Sequence, residues 1–249
     1  MRRRRPLRRP SSARPSSRAT RLTRLRPTKP PLPPTKHPVP RTRHRLPSSP
    51  FPTSTNAKRP LAVAITGGIG AGKSAALEAF ARHGAATRSS DEIVHRLLRS
   101  DADVRRALVE RFGPEVIGSD GADRAAVASI VFNDPEQLDW LEELLHPRVV
   151  QDHETWRRQL ADGPDPPAVS VTEVPLLYET GGEKRFDIVV VITAPPEVRA
   201  QRRPIADERE SRLLAEEEKV RLADHTYVND GTLEELDSFV AGVMADLAT

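Results

Sequence analysis

Hydrophobic positions along the chain follow two rhythms. Residues 61–66 (LAVAIT) form a short apolar run that ends at glycines, the pattern of a buried parallel strand. Residues 168–173 and 186–193 predict two further strands. In the second of these Val189, Val190, Val191 and Ile192 are continuous, as in a strand covered on both faces. Residues 226–228 predict a brief last strand. Between these runs the spacing becomes helical: Leu77, Phe80 and Ala81 share one face of a helix over 74–83. Further helices are predicted over 91–98, 103–112, 124–131, 135–156, 195–203 and 213–224. Ser89 with Glu92 reads as a capping box opening the helix at Asp91, and Thr232 with Glu235 reads as another for a final helix to Leu247. Strands alternating with helices point to a parallel α/β sheet, and the consecutive helices between 91 and 156 make a helical block within it.

Residues 1–60 have neither rhythm, and composition explains why. This segment holds 14 of the 24 prolines and 18 of the 39 Lys and Arg, with none of the 35 Asp and Glu. Proline removes backbone donors, like charges repel, and no core can offset the ordering entropy, so a disordered tail is expected. The net charge of +4 thus divides into a tail of +18 and a body, 61–249, of −14. A nucleic-acid partner, which the pI of about 9.7 would suggest for the chain as a whole, does not follow for the acidic body. The tail reads as a solvated arm touching RNA, DNA or acidic membranes nonspecifically, as a transit peptide, or as an artefact of start-site choice. The only methionines are Met1 and Met244, so an internal start near Leu61 would need another codon.

The absence of cysteine excludes disulfides and thiolate chemistry. The longest apolar run, 188–192, is far below the roughly 20 residues that cross a bilayer. A cytoplasmic, monomeric protein is expected, with no membrane span and no specific nucleic-acid partner.

The strongest chemical signal is Gly67-Gly68-Ile69-Gly70-Ala71-Gly72-Lys73-Ser74, which satisfies G-x-x-x-x-G-K-[ST] between a strand and a helix. Glycines let the loop wrap phosphate oxygens closely, and successive amides with the helix N-terminus supply positive potential. Lys73 is the residue expected to reach the β- and γ-phosphates of ATP, with Ser74 a Mg²⁺ ligand. No His or Asp/Glu cluster has metal-cage spacing, so Mg²⁺ is expected to arrive with ATP.

Beyond this loop the body resembles the dephospho-coenzyme A kinase family, over residues 61 to about 246. The resemblance rests on Thr66 through Ser74, on Ser89-Ser90-Asp91-Glu92-Ile93, on Arg111-Phe112-Gly113 and on His146-Pro147. It continues in Val174-Pro175-Leu176-Leu177-Tyr178-Glu179, Ala194-Pro195-Pro196-Glu197, Glu217-Glu218-Lys219 and Asn229-Asp230-Gly231. It implies the P-loop nucleoside-triphosphate-binding fold: five parallel strands flanked by helices, the second strand ending near Ser89. It also implies a helical substrate-side insertion at about 90–157 and a lid at about 199–218.

The implied activity is transfer of the γ-phosphate of ATP to the ribose 3′-hydroxyl of dephospho-coenzyme A. The implied roles follow residue by residue. Asp91 accepts the hydroxyl proton; taken alone it reads equally as a first-turn residue favoured by the helix dipole. Gly68 through Ala75 hold ATP. Glu173, where the family has Asp, holds a Mg²⁺ water or is a solvated strand end. Arg202 and Arg209 are lid arginines or members of a solvated charged helix. Asn229 lies near the adenine end or forms a plain Asn-Asp-Gly turn. His146, Tyr178 and Glu179 position the acceptor, although a lone His in a helical block is more often a packing or capping residue. Ser89 stands where the family has its first Asp, and the lid is shorter than the family's. Two other readings compete: a P-loop kinase of nucleosides or nucleotides, and a nucleic-acid-associated protein with a vestigial loop.

Overall fold

The computed structural model describes residues 59–202 and 213–248. The chain order is β1 (Leu61–Thr66), α1 (Lys73–Arg82), β2 (Ala86–Ser89), α2 (Ser90–Ser100), α3 (Ala102–Phe112), β3 (Ile117–Gly118), β4 (Gly121–Ala122), α4 (Arg124–Val131) and α5 (Pro135–Ala161). Then follow β5 (Val169–Glu173), β6 (Ile188–Thr193), α6 (Pro196–Arg202), α7 (Glu216–Leu222), β7 (His225–Val228) and α8 (Leu233–Leu247).

Five strands form one parallel sheet in the order β2-β5-β1-β6-β7. Both faces are covered, which is why β1, β5 and β6 are apolar or small almost throughout. One face packs Val63, Ile65, Val190 and Ile192 against Phe80 of α1 and Val240 of α8. The other face buries Ala64, Val189, Val191 and Leu177. Helices α2 to α5 have a core of their own, in which Leu98, Val104, Leu108, Val127 and Leu145 are buried together. Among the described residues no helix is long and apolar enough to cross a membrane.

Register decides what meets at the carboxyl end of the sheet. Ile65 of β1 lies opposite Glu173 of β5, and Ser89 of β2 lies opposite the same Glu173. The segments leaving these strands, the glycine loop and the start of α2, therefore rise from one edge. That edge is the usual place for ligands in open parallel sheets.

Several local expectations need correction. Ser89 is the N-cap residue of α2 but makes no side-chain cap; its hydroxyl donates instead to Glu173 Oε2 at 3.4 Å. The residues that do cap helices in this region are Asp101, Asp123 and Asp134, each accepting from backbone amides of the first turn. Helix α5 runs past Trp156 to Ala161 and carries Pro147 inside it. Helix α7 begins at Glu216 rather than near Leu213, because the Leu214 amide donates to Glu179 instead of entering a helical ladder. The capping box of Thr232 and Glu235 forms as predicted, with both reciprocal bonds made.

Candidate active site

The loop after β1 is shaped by contacts that exclude side chains. Gly67 has φ of 147°, and a Cβ there would lie 1.9 Å from the Ile192 carbonyl oxygen, a backbone atom that cannot step aside. Gly72, the N-cap residue of α1, has φ of 99°, and a Cβ would lie 2.0 Å from Asn229 Nδ2. Lys73 opens α1 and folds back so that Nζ donates to the carbonyls of Gly67 and Gly68, at 3.2 and 3.0 Å. Ala71 is fully buried, Gly68 is buried, Ile69 and Gly70 are half-buried, and Ser74 is exposed at the mouth. Ala75 turns back against the main core. The α1 amides and their dipole thus face outward with a cation beside them, a ready anion site.

Two predicted nucleotide-site residues meet behind this loop. Asn229 is buried, and its Nδ2 donates to the Ala71 carbonyl at 2.8 Å while its own amide donates to Thr193. It is therefore a brace rather than a plain turn residue. Arg202 at the end of α6 donates to Gly70 O, Ala71 O and Asn229 O, at 3.4, 3.4 and 3.2 Å. Arg209 lies outside the described residues. Sequence reasoning passed over Arg199, whose guanidinium sits 3.0 Å from where a Cβ on Gly68 would be and pairs with Glu216 at 3.9 Å. The available signal was its i, i+3 spacing to Arg202 on one helix face.

On the other side of the loop stands a group of acids. Asp91 is exposed in the first turn of α2. Glu173 is buried at the end of β5, and burial raises its carboxyl above the usual range; Lys73 opposes the shift and Asp91 adds to it. Lys73 and Asp91 therefore both act on Glu173 at the carboxyl end of the sheet. Among the described residues no cluster of three or more His, Asp or Glu could hold a metal alone.

The backbone beneath these acids is fixed by a polar pair that sequence reasoning missed. Ser90 Oγ donates to the Glu173 carbonyl at 2.7 Å and lies 3.0 Å from Nε2 of the buried His153 on α5. A hydroxyl has one proton, already given to Glu173, so His153 donates through Nε2–H. Burial, reinforced by Arg157 and Arg88, lowers its pKa to about 4. A depressed histidine contributes stability that is present above its unfolded value and lost as pH falls through about 4. The full difference from the unfolded value is about 3 kcal/mol. In denaturant titrations between pH 7 and 4, His153→Gln is expected to reduce the loss of stability with acid by about one proton's worth. An unchanged slope would show that the imidazole is already hydrated.

The remaining predicted acceptor residues divide. His146 is half-buried on α5, its pKa lowered by burial and by Arg185, and among the described residues no hydrogen bond links it to Asp91 or the loop. Tyr178 packs against the Leu177 cluster under β6. Glu179 is engaged elsewhere: its Oε1 accepts from the Leu214 amide at 2.9 Å and pairs with Lys219 Nζ at 2.7 Å. The carboxylate expected to touch substrate thus anchors the chain entering α7.

Residues 61–235 match the sequence profile described as dephospho-CoA kinase. The chain belongs to that family. A dephospho-CoA kinase of Streptomyces avermitilis is 37% identical over 196 residues, covering 75% of this chain and 94% of the relative. One from Protochlamydia amoebophila is 34% identical over 193 residues, covering 74% and 95%. Among solved structures, a Thermus thermophilus protein is 31% identical with a TM-score of 0.60 and matches 76% of this chain and 99% of its own. A Campylobacter jejuni dephospho-CoA kinase, 24% identical with a TM-score of 0.54 and covering 75% and 96%, shares the fold. The matched region starts at Leu61, the first residue of β1, and takes in the glycine loop, the acids and the α2–α5 block.

Proposed function

We propose that the site phosphorylates the ribose 3′-hydroxyl of dephospho-coenzyme A with ATP, giving coenzyme A and ADP. The observation that carries this reading is the strand register, which sets Glu173 between the ends of β1 and β2 and so between the glycine loop with Lys73 and the first turn of α2 with Asp91. ATP lies along the loop, its phosphates against the amides of 67–74, and Lys73 leaves the Gly67 and Gly68 carbonyls to reach the transferring group. Asn229 and Arg202 hold the loop from behind at the nucleoside side. The 3′-oxygen attacks the γ-phosphorus, the bond to the β,γ-bridging oxygen breaks, and the hydroxyl proton passes to Asp91.

The donor set suits a hard cation. Glu173 is a buried carboxylate with a second acid nearby, a repulsion that a cation would relieve, and the Ser74 hydroxyl lies at the loop's mouth. Ser74 and Glu173 would hold Mg²⁺ together with the nucleotide's phosphates, and its charge would neutralise the phosphoryl oxygens. Arg199 and Arg202, on a helix that crosses the loop, bring cationic charge from the opposite side and restrict water.

The test is ADP release in a coupled assay with dephospho-coenzyme A beside a panel of nucleosides and nucleotides. Stimulation by dephospho-coenzyme A at least tenfold over any nucleoside is expected. Turnover of nucleosides alone would overturn the reading.

A further inference from the structure

We infer that Arg99 and Arg124, with His95 between them, bind the 5′-diphosphate of the acceptor, so that the acceptor lies along α2 from Asp91 toward the β3–β4 hairpin. The inference rests on the proposed 3′-hydroxyl chemistry at Asp91 and names the rest of that site.

A depression of about 390 Å³ begins at Asp91 and is lined by Glu92, His95, Arg96, Arg99 and Arg124. A second, of about 380 Å³, shares His95, Arg99 and Arg124 and continues along the hairpin from Gly118 to Asp123. Together they form a trough whose near end is the proposed proton acceptor and whose middle is cationic. Helix geometry sets the scale. Asp91, His95 and Arg99 are four residues apart, so they share a face and rise about 6 Å per step. One ribose spans the first step: a sugar with its 3′-hydroxyl on Asp91 places its 5′-substituent beside His95 and Arg99.

The cations differ in how far they are already occupied. Arg96 is held by Asp152, which also takes Arg88. Arg99 and Arg124 have no carboxylate partner among the described residues, and both are exposed. Arg124 Nη1 lies 3.0 Å from His95 Nδ1. A guanidinium only donates, so His95 Nδ1 accepts, and the ring's proton sits on Nε2, free to donate. The pair is thus oriented before any ligand arrives, and its remaining N–H groups suit the terminal oxygens of a diphosphate. The wall opposite is fixed by a close approach: Gly121 has φ of 115°, and a Cβ there would lie 2.2 Å from the Arg99 carbonyl oxygen. Only glycine lets the hairpin sit this tightly on α2.

The experiment uses steady-state kinetics of the full chain and of Arg99→Ala, Arg124→Ala and the double variant, with dephospho-coenzyme A and ATP each varied. The exposed positions leave the fold intact, which circular dichroism checks. Each single change is expected to raise KM for dephospho-coenzyme A about tenfold, the loss of one charge-assisted contact. The double change is expected to raise it further, with most of the effect in KM rather than kcat and KM for ATP unchanged. Arg124→Lys should recover part of the loss, because the charge remains and the fork is gone. An unchanged acceptor KM, or a rise shared equally by ATP, would overturn the inference. So would competitive inhibition by adenosine that weakens as much as KM does, since adenosine has no diphosphate. No turnover of dephospho-coenzyme A by the unaltered chain would be a separate result, against the proposed function itself.

Discussion

Asp91→Asn is expected to lower kcat with dephospho-coenzyme A by about 10²–10⁴-fold, while KM for ATP stays within twofold. The magnitude is that of losing a positioned proton acceptor. An amide keeps the shape of the side chain but has no lone pair basic enough to take the 3′-hydroxyl proton. The nucleotide loop keeps its own contacts, since Lys73 is held by the Gly67 and Gly68 carbonyls. Stability separates this outcome from the alternative in which Asp91 only favours the helix dipole. Asp91 is exposed in the first turn of α2, where a charge contributes about 0.3–1 kcal/mol. A thermal midpoint that shifts by a few degrees with unchanged kcat would assign Asp91 to the helix rather than to the chemistry.

Lys219→Ala is expected to destabilise the fold by about 3–5 kcal/mol, the cost of leaving a buried charge without its partner. Lys219 is 1% exposed, and its ammonium pairs at 2.7 Å with Glu179, whose side chain is itself only 15% exposed. The same carboxylate oxygen receives the Leu214 amide, so losing Lys219 also loosens the point where the chain enters α7. For a domain of this size the change corresponds to roughly 10 °C in the thermal midpoint. The control is Lys219→Met with Glu179→Gln, which removes both charges and fills the space. This double variant should be clearly more stable than Lys219→Ala. Urea unfolding gives both numbers, and a single-variant loss under 1 kcal/mol would show that water already screens the pair.

What the sequence discloses and what it conceals follow from the range of the interactions. β1 and its loop are legible because six residues of apolar run meet a fixed spacing of glycines. α8 is legible because Thr232 and Glu235 bond only to each other's neighbourhood. β2 is nearly invisible: Ala-Thr-Arg-Ser has no apolar rhythm, and the strand exists because β5 pairs with it. The same holds for residues whose partners are far along the chain. Ser89 has the right letter for a helix cap, yet Glu173, 84 positions on, takes its hydroxyl. Glu179 reads as part of an acceptor motif, yet Leu214 and Lys219 claim it. His153 has no local signal at all; its meaning comes from Ser90, 63 positions away. The glycine loop and Lys73 read directly from their spacing between a strand end and a helix. Asp91 and Glu173 are singled out only by the family resemblance, since alone they read as a helix-start residue and a strand end. Arg199 and the trough along α2 were missed because only packing brings α6 over the loop and the hairpin onto α2.

The register of β2, β5 and β1 acts as a ruler. Neighbouring strands lie about 4.8 Å apart, so the donor loop on β1 and the acceptor helix on β2 leave the sheet about 10 Å from each other, with Glu173 midway. That interval is set by backbone hydrogen bonds and is closed to adjustment by any side chain. A longer carboxylate at the midpoint, Glu in place of Asp, therefore shifts a charge along a fixed span without moving either end. Changes of acceptor in relatives of this chain should accordingly fall on α2 and the hairpin, while the three strands keep their spacing.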